Sequence, residues 1–463
     1  MQRKEAPLNT HPPTTIQKQF ITTTMRISRQ ASIITLFCLP LLLSAQTLTE
    51  DAHAALSKCP SLSASNYTAY DNLYAATPHT MTAPPEDYEP FYLSMYARHG
   101  SRWLISPNQY DMPIRTLETI QADGGLTEAG QALLSSLKRL RSLSPDEKLG
   151  VLTSLGFEQH NGIASRMCQR FPGIFNKTAY IHARSSYVPR CVKSMAEEAE
   201  VIERISDVWV ITEAGRREWQ DYLAHPSLQR QIKDSLRQGD GIYETYKKKY
   251  THPQRLMSLL TVHPDRIPAD IQEEFMIRLF NIAGNMQSHK PTEGYDMDFG
   301  RYFTPDERYD LWRLHNIKWY LSYAAAPQTG GIAPWRQKWL LDDFINAADT
   351  LMRKDSFHGA TLRFGHESCL MPLVALMEAG NAGVQVADLD TLDRAWRNYE
   401  IFPMASNIQI IFYRSKTPGH GILVKALLNE REVSLPVKPV RYPYYLWDDV
   451  REYWVSKLRR YNF

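Results

Sequence analysis

The sequence predicts an α/β protein in which one sheet is interrupted by a mostly α-helical insertion. Three observations predict it. Short apolar, aromatic or β-branched segments each run into a cluster of polar residues. Helical periodicity separates them. Between 212 and 353, helical periodicity, Trp and long charged side chains prevail with few strand signals. At 463 residues the chain is long enough to bury a large core, and 43% apolar with 22% charged residues describes a globular protein.

The first 45 residues read as a leader. Arg26 and Arg29 precede an apolar run from Ala31 to Leu43, Ser44-Ala45 supplies small residues before Gln46, and Met25 is a sensible start. The run is too short to span a bilayer and Pro40 interrupts it. Cys38 sits inside the run rather than after a small-residue box, which argues against a lipid anchor. An exported protein is expected, periplasmic or secreted, with a signal peptide at about 25–45 and no stable membrane span once the leader is gone. Without the leader, 48 basic residues face 49 acidic ones. That balance removes any global case for a nucleic-acid partner but leaves room for a local basic pocket. Cys59, Cys168, Cys191 and Cys369 remain. Export permits disulfides, four cysteines allow three pairings, and their spacing is not that of a metal site.

Residues 46 to 90 look irregular, broken by Pro78, Pro84-Pro85 and Pro90. Phe91 to Ala97 has strand composition and ends at Arg98-His99-Gly100-Ser101-Arg102. Gly124-Gly125 and Leu126-Thr127-Glu128 mark a turn and cap before a helix to about Ser142. A further helix includes Ile163 to Phe171. A second strand, Ala179 to Ala183, leads to Arg184-Ser185-Ser186 and a helix near Lys193 to Ile205. Helices are expected over Gln229 to Arg237 and Trp335 to Met352. Strands return at Ala360 to Gly365, Ile408 to Tyr413 and Ile422 to Leu428, with Asn429-Glu430 as a turn before Glu432 to Leu435. The α/β core is therefore expected at 46–211 with 354–463, and the helical insertion at 212–353. Lys247-Lys248-Lys249 is read as a solvated helix face, with a substrate role as the alternative.

The segment Arg98 to Arg102 is the sharpest chemical signal. Guanidinium forks match the several charged oxygens of a phosphoryl group. A neutral imidazole between them is a nucleophile that needs no separate base, and Gly100 lets backbone and substrate approach closely.

These residues resemble the Arg-His-Gly-x-Arg-x-Pro hallmark of the clade-2 histidine phosphatases, the histidine acid phosphatases and phytases, closest in appearance to bacterial multiple inositol polyphosphate phosphatases. The resemblance runs from about 88 to 445. It includes Leu126-Thr-x-x-Gly130, Gln159-His160-x-x-Ile163-Ala-x-Arg166-Met167 and Arg170-Phe171-Pro172. It continues through Ala183-Arg184-Ser185-Ser186-x-x-x-Arg190, Ser194-Met195, Arg363-Phe364-Gly365-His366-Glu367 and Ala405-Ser406-Asn407-Ile408-Gln409. It implies the histidine phosphatase fold, a doubly wound, mostly parallel sheet with an inserted helical domain.

By the same resemblance His99 is the nucleophile, Arg98, Arg102 and Arg190 bind phosphate, His366 donates to it, and Glu367 is the proton donor. Arg184 either points into the pocket or makes a structural ion pair. His160 and Asn407 are expected in structural roles. Two departures stand out: Leu104 replaces the hallmark proline, and Glu rather than Asp directly follows the histidine. The implied activity is a metal-independent phosphomonoesterase on inositol polyphosphates, phytate above all, without a cofactor and as a monomer. The alternatives are a broad acid phosphatase for sugar or nucleotide phosphates, an exported phosphate-ester binding protein, and a mutase.

Overall fold

The computed structural model describes residues 51–76, 80–223, 230–353 and 357–460. The expected leader, with Met25 and Cys38, lies outside these residues. Strand β1 (Tyr88–Arg98) is covered on both faces. Leu93, Met95 and Ala97 pack with Met167, Cys168, Met195 and Ala199 of the Ser154–Arg170 and Pro189–Ser206 helices. Tyr92 and Tyr96 face a second cluster on the other side. Burial of both faces is why the strand reads as a continuous apolar run rather than an alternation.

Strands β2 (Tyr180–Ser185), β3 (Val210–Ala214), β4 (Gly359–Gly365), β5 (Asn407–Ser415), β6 (Leu423–Leu428) and β7 (Arg431–Val433) complete the order β3-β2-β4-β1-β5-β6-β7, and β8 (Tyr445–Leu446) pairs with β6. The pairings β3-β2, β2-β4 and β4-β1 are parallel; those from β1-β5 onward are antiparallel. The sheet is thus mixed, half parallel and half antiparallel. Ala97 and Arg98 lie opposite Phe364 and Gly365 in register. The polar clusters that follow β1 and β4 therefore emerge side by side at the carboxyl edge, where open α/β sheets place their sites.

Between β3 and β4 the described chain is helical, including Arg230–Tyr250, Ala269–Asn285, Pro305–Tyr323 and Lys338–Met352. The Pro305–Tyr323 helix begins at a capping box of Thr304 and Glu307. Leu256, Phe280, Leu314 and Leu341 of this segment join the same apolar cluster as Tyr92 and Tyr96. Strand β3 crosses position 212, where the helical block was expected to start. The lead-in is also more ordered than expected. It forms the helix Ala52–Lys58, a 3-10 segment Pro60–Tyr67 and the helix Tyr70–Ala76, with Leu56, Leu62, Tyr67 and Tyr70 buried. Tertiary packing, not local periodicity, fixes these short pieces. Cys59, Cys168, Cys191 and Cys369 are not joined in disulfides, so none of the three possible pairings is formed. Among the described residues no helix is long and apolar enough to cross a membrane.

Candidate active site

Beyond β1, the loop bearing His99 has its backbone tied to distant segments. His99 N–H donates to Gly365 O at 3.0 Å, and His99 O accepts from Ala405 N at 3.0 Å. Gly100 N–H donates to Ser194 Oγ (3.2 Å) and Ser101 N–H to Gln159 Oε1 (2.9 Å). Ser101 O accepts from Thr153 N at 2.9 Å. Gly100 is required by contact: a Cβ there would lie 2.4 Å from Gly156 O. Gly365 is similarly constrained, since its Cβ would lie 2.1 Å from the Tyr96 hydroxyl.

His99 Nδ1 is 2.9 Å from Gly100 O. A carbonyl only accepts, so Nδ1 carries the proton and Nε2 presents its lone pair. Nε2 is buried, has no hydrogen-bond partner, and lies 3.7 Å from Glu367 Oε2. The His366 ring stands edge-on to His99, with centroids 5.6 Å apart. His366 is the N-cap and Glu367 the first residue of the Glu367–Met377 helix. The extra methylene of Glu367 therefore does not carry its carboxyl out of the site.

The arginines differ. Arg98 is fully buried, with Nη1 on Phe402 O (2.7 Å) and Nη2 on Asn66 O and Oδ1 (3.0 and 2.8 Å), leaving Nε 3.2 Å from Glu367 Oε2. It contributes fixed charge and one N–H rather than a free fork. Arg102 stands over the Tyr67 ring and donates from Nη1 to Trp103 O. Arg190 opens the Pro189–Ser206 helix, its Nη2 3.4 Å from His366 Nδ1. The Nε atoms of Arg98, Arg102 and Arg190 are buried without hydrogen-bond partners. Arg184, by contrast, does not point into this cluster. It pairs with Asp343 at 3.0 Å, stacks over Trp219 at 4.8 Å, and so takes the structural alternative.

Burial, reinforced by Arg190, Arg98 and Arg102, holds His99 well below the usual imidazole range, so the ring is neutral. Burial alone would raise Glu367, but Arg98, Arg102 and His366 outweigh it and hold the carboxyl down to about 2. Burial lowers Arg98 to about 10, and lowers Arg190 with help from Arg102. Cys191, whose Sγ is 3.7 Å from His366 Nε2, is raised to about 12 by burial and remains a thiol.

Ligand atoms of His99, His366 and Glu367 lie within 4.8 Å of one another, a spacing a cation also accepts. Three guanidinium groups around them oppose a cation and favour an anion with several charged oxygens. His160 forms a buried pair with Glu198 at 2.7 Å, and Asn407 bonds to Tyr70; both serve packing rather than the site. Asn66, Phe402 and Ser194 hold site residues and carry no sequence signal for that task, although Ser194 and Gln159 fall within the resembling segments.

No family model and no curated protein matches the chain. Solved structures do. The multiple inositol polyphosphate phosphatase of Bifidobacterium longum, in complex with inositol hexasulfate, matches 83% of this chain and 95% of its own at 20% identity and a TM-score of 0.67. Its complex with phosphate matches 82% and 94% at 19% identity and 0.65. The phytase of D. castellii matches 83% and 84% at 13% identity and 0.59. Likeness at these identities is likeness of fold, and the fold of this chain is that of the histidine acid phosphatases.

Proposed function

We propose that the protein is a phosphomonoesterase acting through a phosphohistidine at His99, with inositol polyphosphates as substrates. The observation that supports it most is the convergence of a neutral, unpartnered His99 Nε2, the Glu367 carboxyl and three guanidinium groups with buried, unpartnered N–H groups. Arg102, Arg190 and His366 hold the phosphate, while Arg98 supplies charge and fixes Glu367. His99 Nε2 attacks phosphorus in line, a P–N bond forms, and the P–O ester bond breaks. Glu367 gives its proton to the departing alkoxide. Its carboxylate then takes a proton from water as water attacks phosphorus, and the P–N bond breaks to release phosphate.

Glu367 is ionised before substrate enters. A phosphate that neutralises Arg98 and Arg102 removes what depresses its pKa, and a singly ionised phosphoester brings the proton Glu367 needs. The likeness of fold to an inositol polyphosphate phosphatase and to a phytase supports phytate-type substrates. One observation favours a second reading, a broad acid phosphatase for sugar or nucleotide phosphates. Ile105 is 57% exposed and lies with Arg190 beside Gly150, so an exposed apolar group stands next to that arginine. Export of the mature protein is part of the proposal and rests on the leader. Phosphate release from phytate and from glucose phosphate, each with chelator present, is the test. Strong preference for phytate is expected; equal turnover favours the generalist, and no release from either rejects both.

A further inference from the structure

Gln159 is 2% exposed and its Oε1 accepts the Ser101 N–H at 2.9 Å. That N–H belongs to the same peptide unit as Gly100 C=O, the group that accepts the Nδ1–H of His99 at 2.9 Å. Among the described residues the cis peptide is Tyr442-Pro443, so the Gly100-Ser101 bond is trans. A trans peptide is a rigid plane whose C=O and N–H point in opposite directions. A donor held at one end therefore fixes the acceptor at the other. On its far side, Gln159 Nε2 donates to Asp71 Oδ2 at 3.4 Å, which agrees with the amide orientation that the Ser101 N–H demands. The sequence carboxylate, amide, peptide, imidazole is a continuous chain of donors and acceptors, each polarising the next.

We propose that Gln159 is a positioning residue for the nucleophile: through the Gly100-Ser101 peptide it holds His99 in the Nδ1–H tautomer and aims Nε2 at the guanidinium cluster. The inference rests on the reading of His99 Nε2 as the attacking atom. Without the Gln159 acceptor the Ser101 N–H is buried and unmatched, and the peptide is free to rotate toward another partner. The carbonyl that selects the tautomer moves with it. Small displacements of a reacting group cost rate far more than they cost binding. Substrate binding, which depends on the guanidinium groups, is untouched.

Gln159→Met removes the acceptor at nearly constant length. Expected are a fall in kcat of about 10- to 100-fold, a KM within about twofold of wild type, and a folded protein by thermal melting. The ring-nitrogen NMR signals of His99, assigned by difference from His99→Ala, should shift from the single Nδ1–H tautomer to a mixture. The double substitution Gln159→Glu with Asp71→Asn restores an acceptor toward Ser101 and reverses the outer hydrogen bond; it should recover most of kcat and the original spectrum. Ring-nitrogen signals in Gln159→Met identical to wild type overturn the proposal whatever the rate does. So does a kcat loss that the double substitution leaves unrepaired. A wild-type protein that turns over no phosphoester defeats the functional reading while leaving the tautomer comparison meaningful.

Discussion

His99 and Glu367 sit 3.7 Å apart, and arginines lower the proton affinity of both, with opposite consequences for charge. They discourage a proton on the imidazole and discourage one on the carboxyl, so the free site holds a neutral base beside an anion. The proton for the leaving group must then arrive with the substrate. The expected result is that kcat/KM falls as pH rises through the second phosphate ionisation, near about 6; a pH profile on phytate checks it. Glu367→Gln should cost about 10²- to 10⁴-fold in kcat on an alkyl phosphate. In kcat/KM, which ends at phosphoenzyme formation, it should cost much less on nitrophenyl phosphate, whose leaving group needs no proton, and parallel assays on the two esters separate that step from the attack of water. Stability responds as well. Both groups have pKa values lower in the folded than in the unfolded state, so the unfolded chain binds more protons. Folded stability is therefore retained above the ordinary imidazole pKa, about 6.5. It declines as pH falls below that for His99, and declines further for Glu367 between 4.5 and about 2. Denaturant midpoints across pH measure this directly.

Strands β1 and β4 deliver their polar clusters side by side at their carboxyl ends, and this was legible because strands buried on both faces read as short apolar runs that stop abruptly at charge. What strand composition does not specify is which face a residue near the strand end takes. Arg184 on β2 lies opposite Arg363 on β4 in register. Both guanidinium groups meet Asp343 of the Lys338–Met352 helix, with Arg363 Nε at 2.5 Å and Arg184 Nη1 at 3.0 Å. Their partner is a single carboxylate far along the chain, which no local pattern announces. Asp343→Ala should destabilise the protein by about 3–5 kcal/mol, because the fully buried Arg363 loses its counter-ion. Arg184→Ala, read by steady-state kinetics, should leave KM for phytate within about twofold.

Across the whole molecule the site draws on segments around 66, 98–102, 159, 190, 366–367 and 402. The hallmark and its partner motif were readable because their chemistry is compact in sequence. Asn66 and Phe402 were not, because each contributes through a backbone carbonyl or a single amide to Arg98, a role any sequence position can fill. The lead-in looked irregular for the same reason: its short helices owe their order to burial of Leu56, Leu62 and Tyr67 rather than to their own propensity. With neutralisation assigned to guanidinium groups, activity in the presence of a chelator should match activity without it, as phosphate release will show.

The central claim is that phosphorus is bonded to His99 Nε2 during turnover. Rapid acid-free quenching of the enzyme with labelled phytate, followed by peptide mapping, tests it most directly. The account predicts an acid-labile, base-stable label on the peptide containing His99 in wild type and none in His99→Ala. Phosphate release at the wild-type rate from His99→Ala, or a label carried by any other residue, would contradict it.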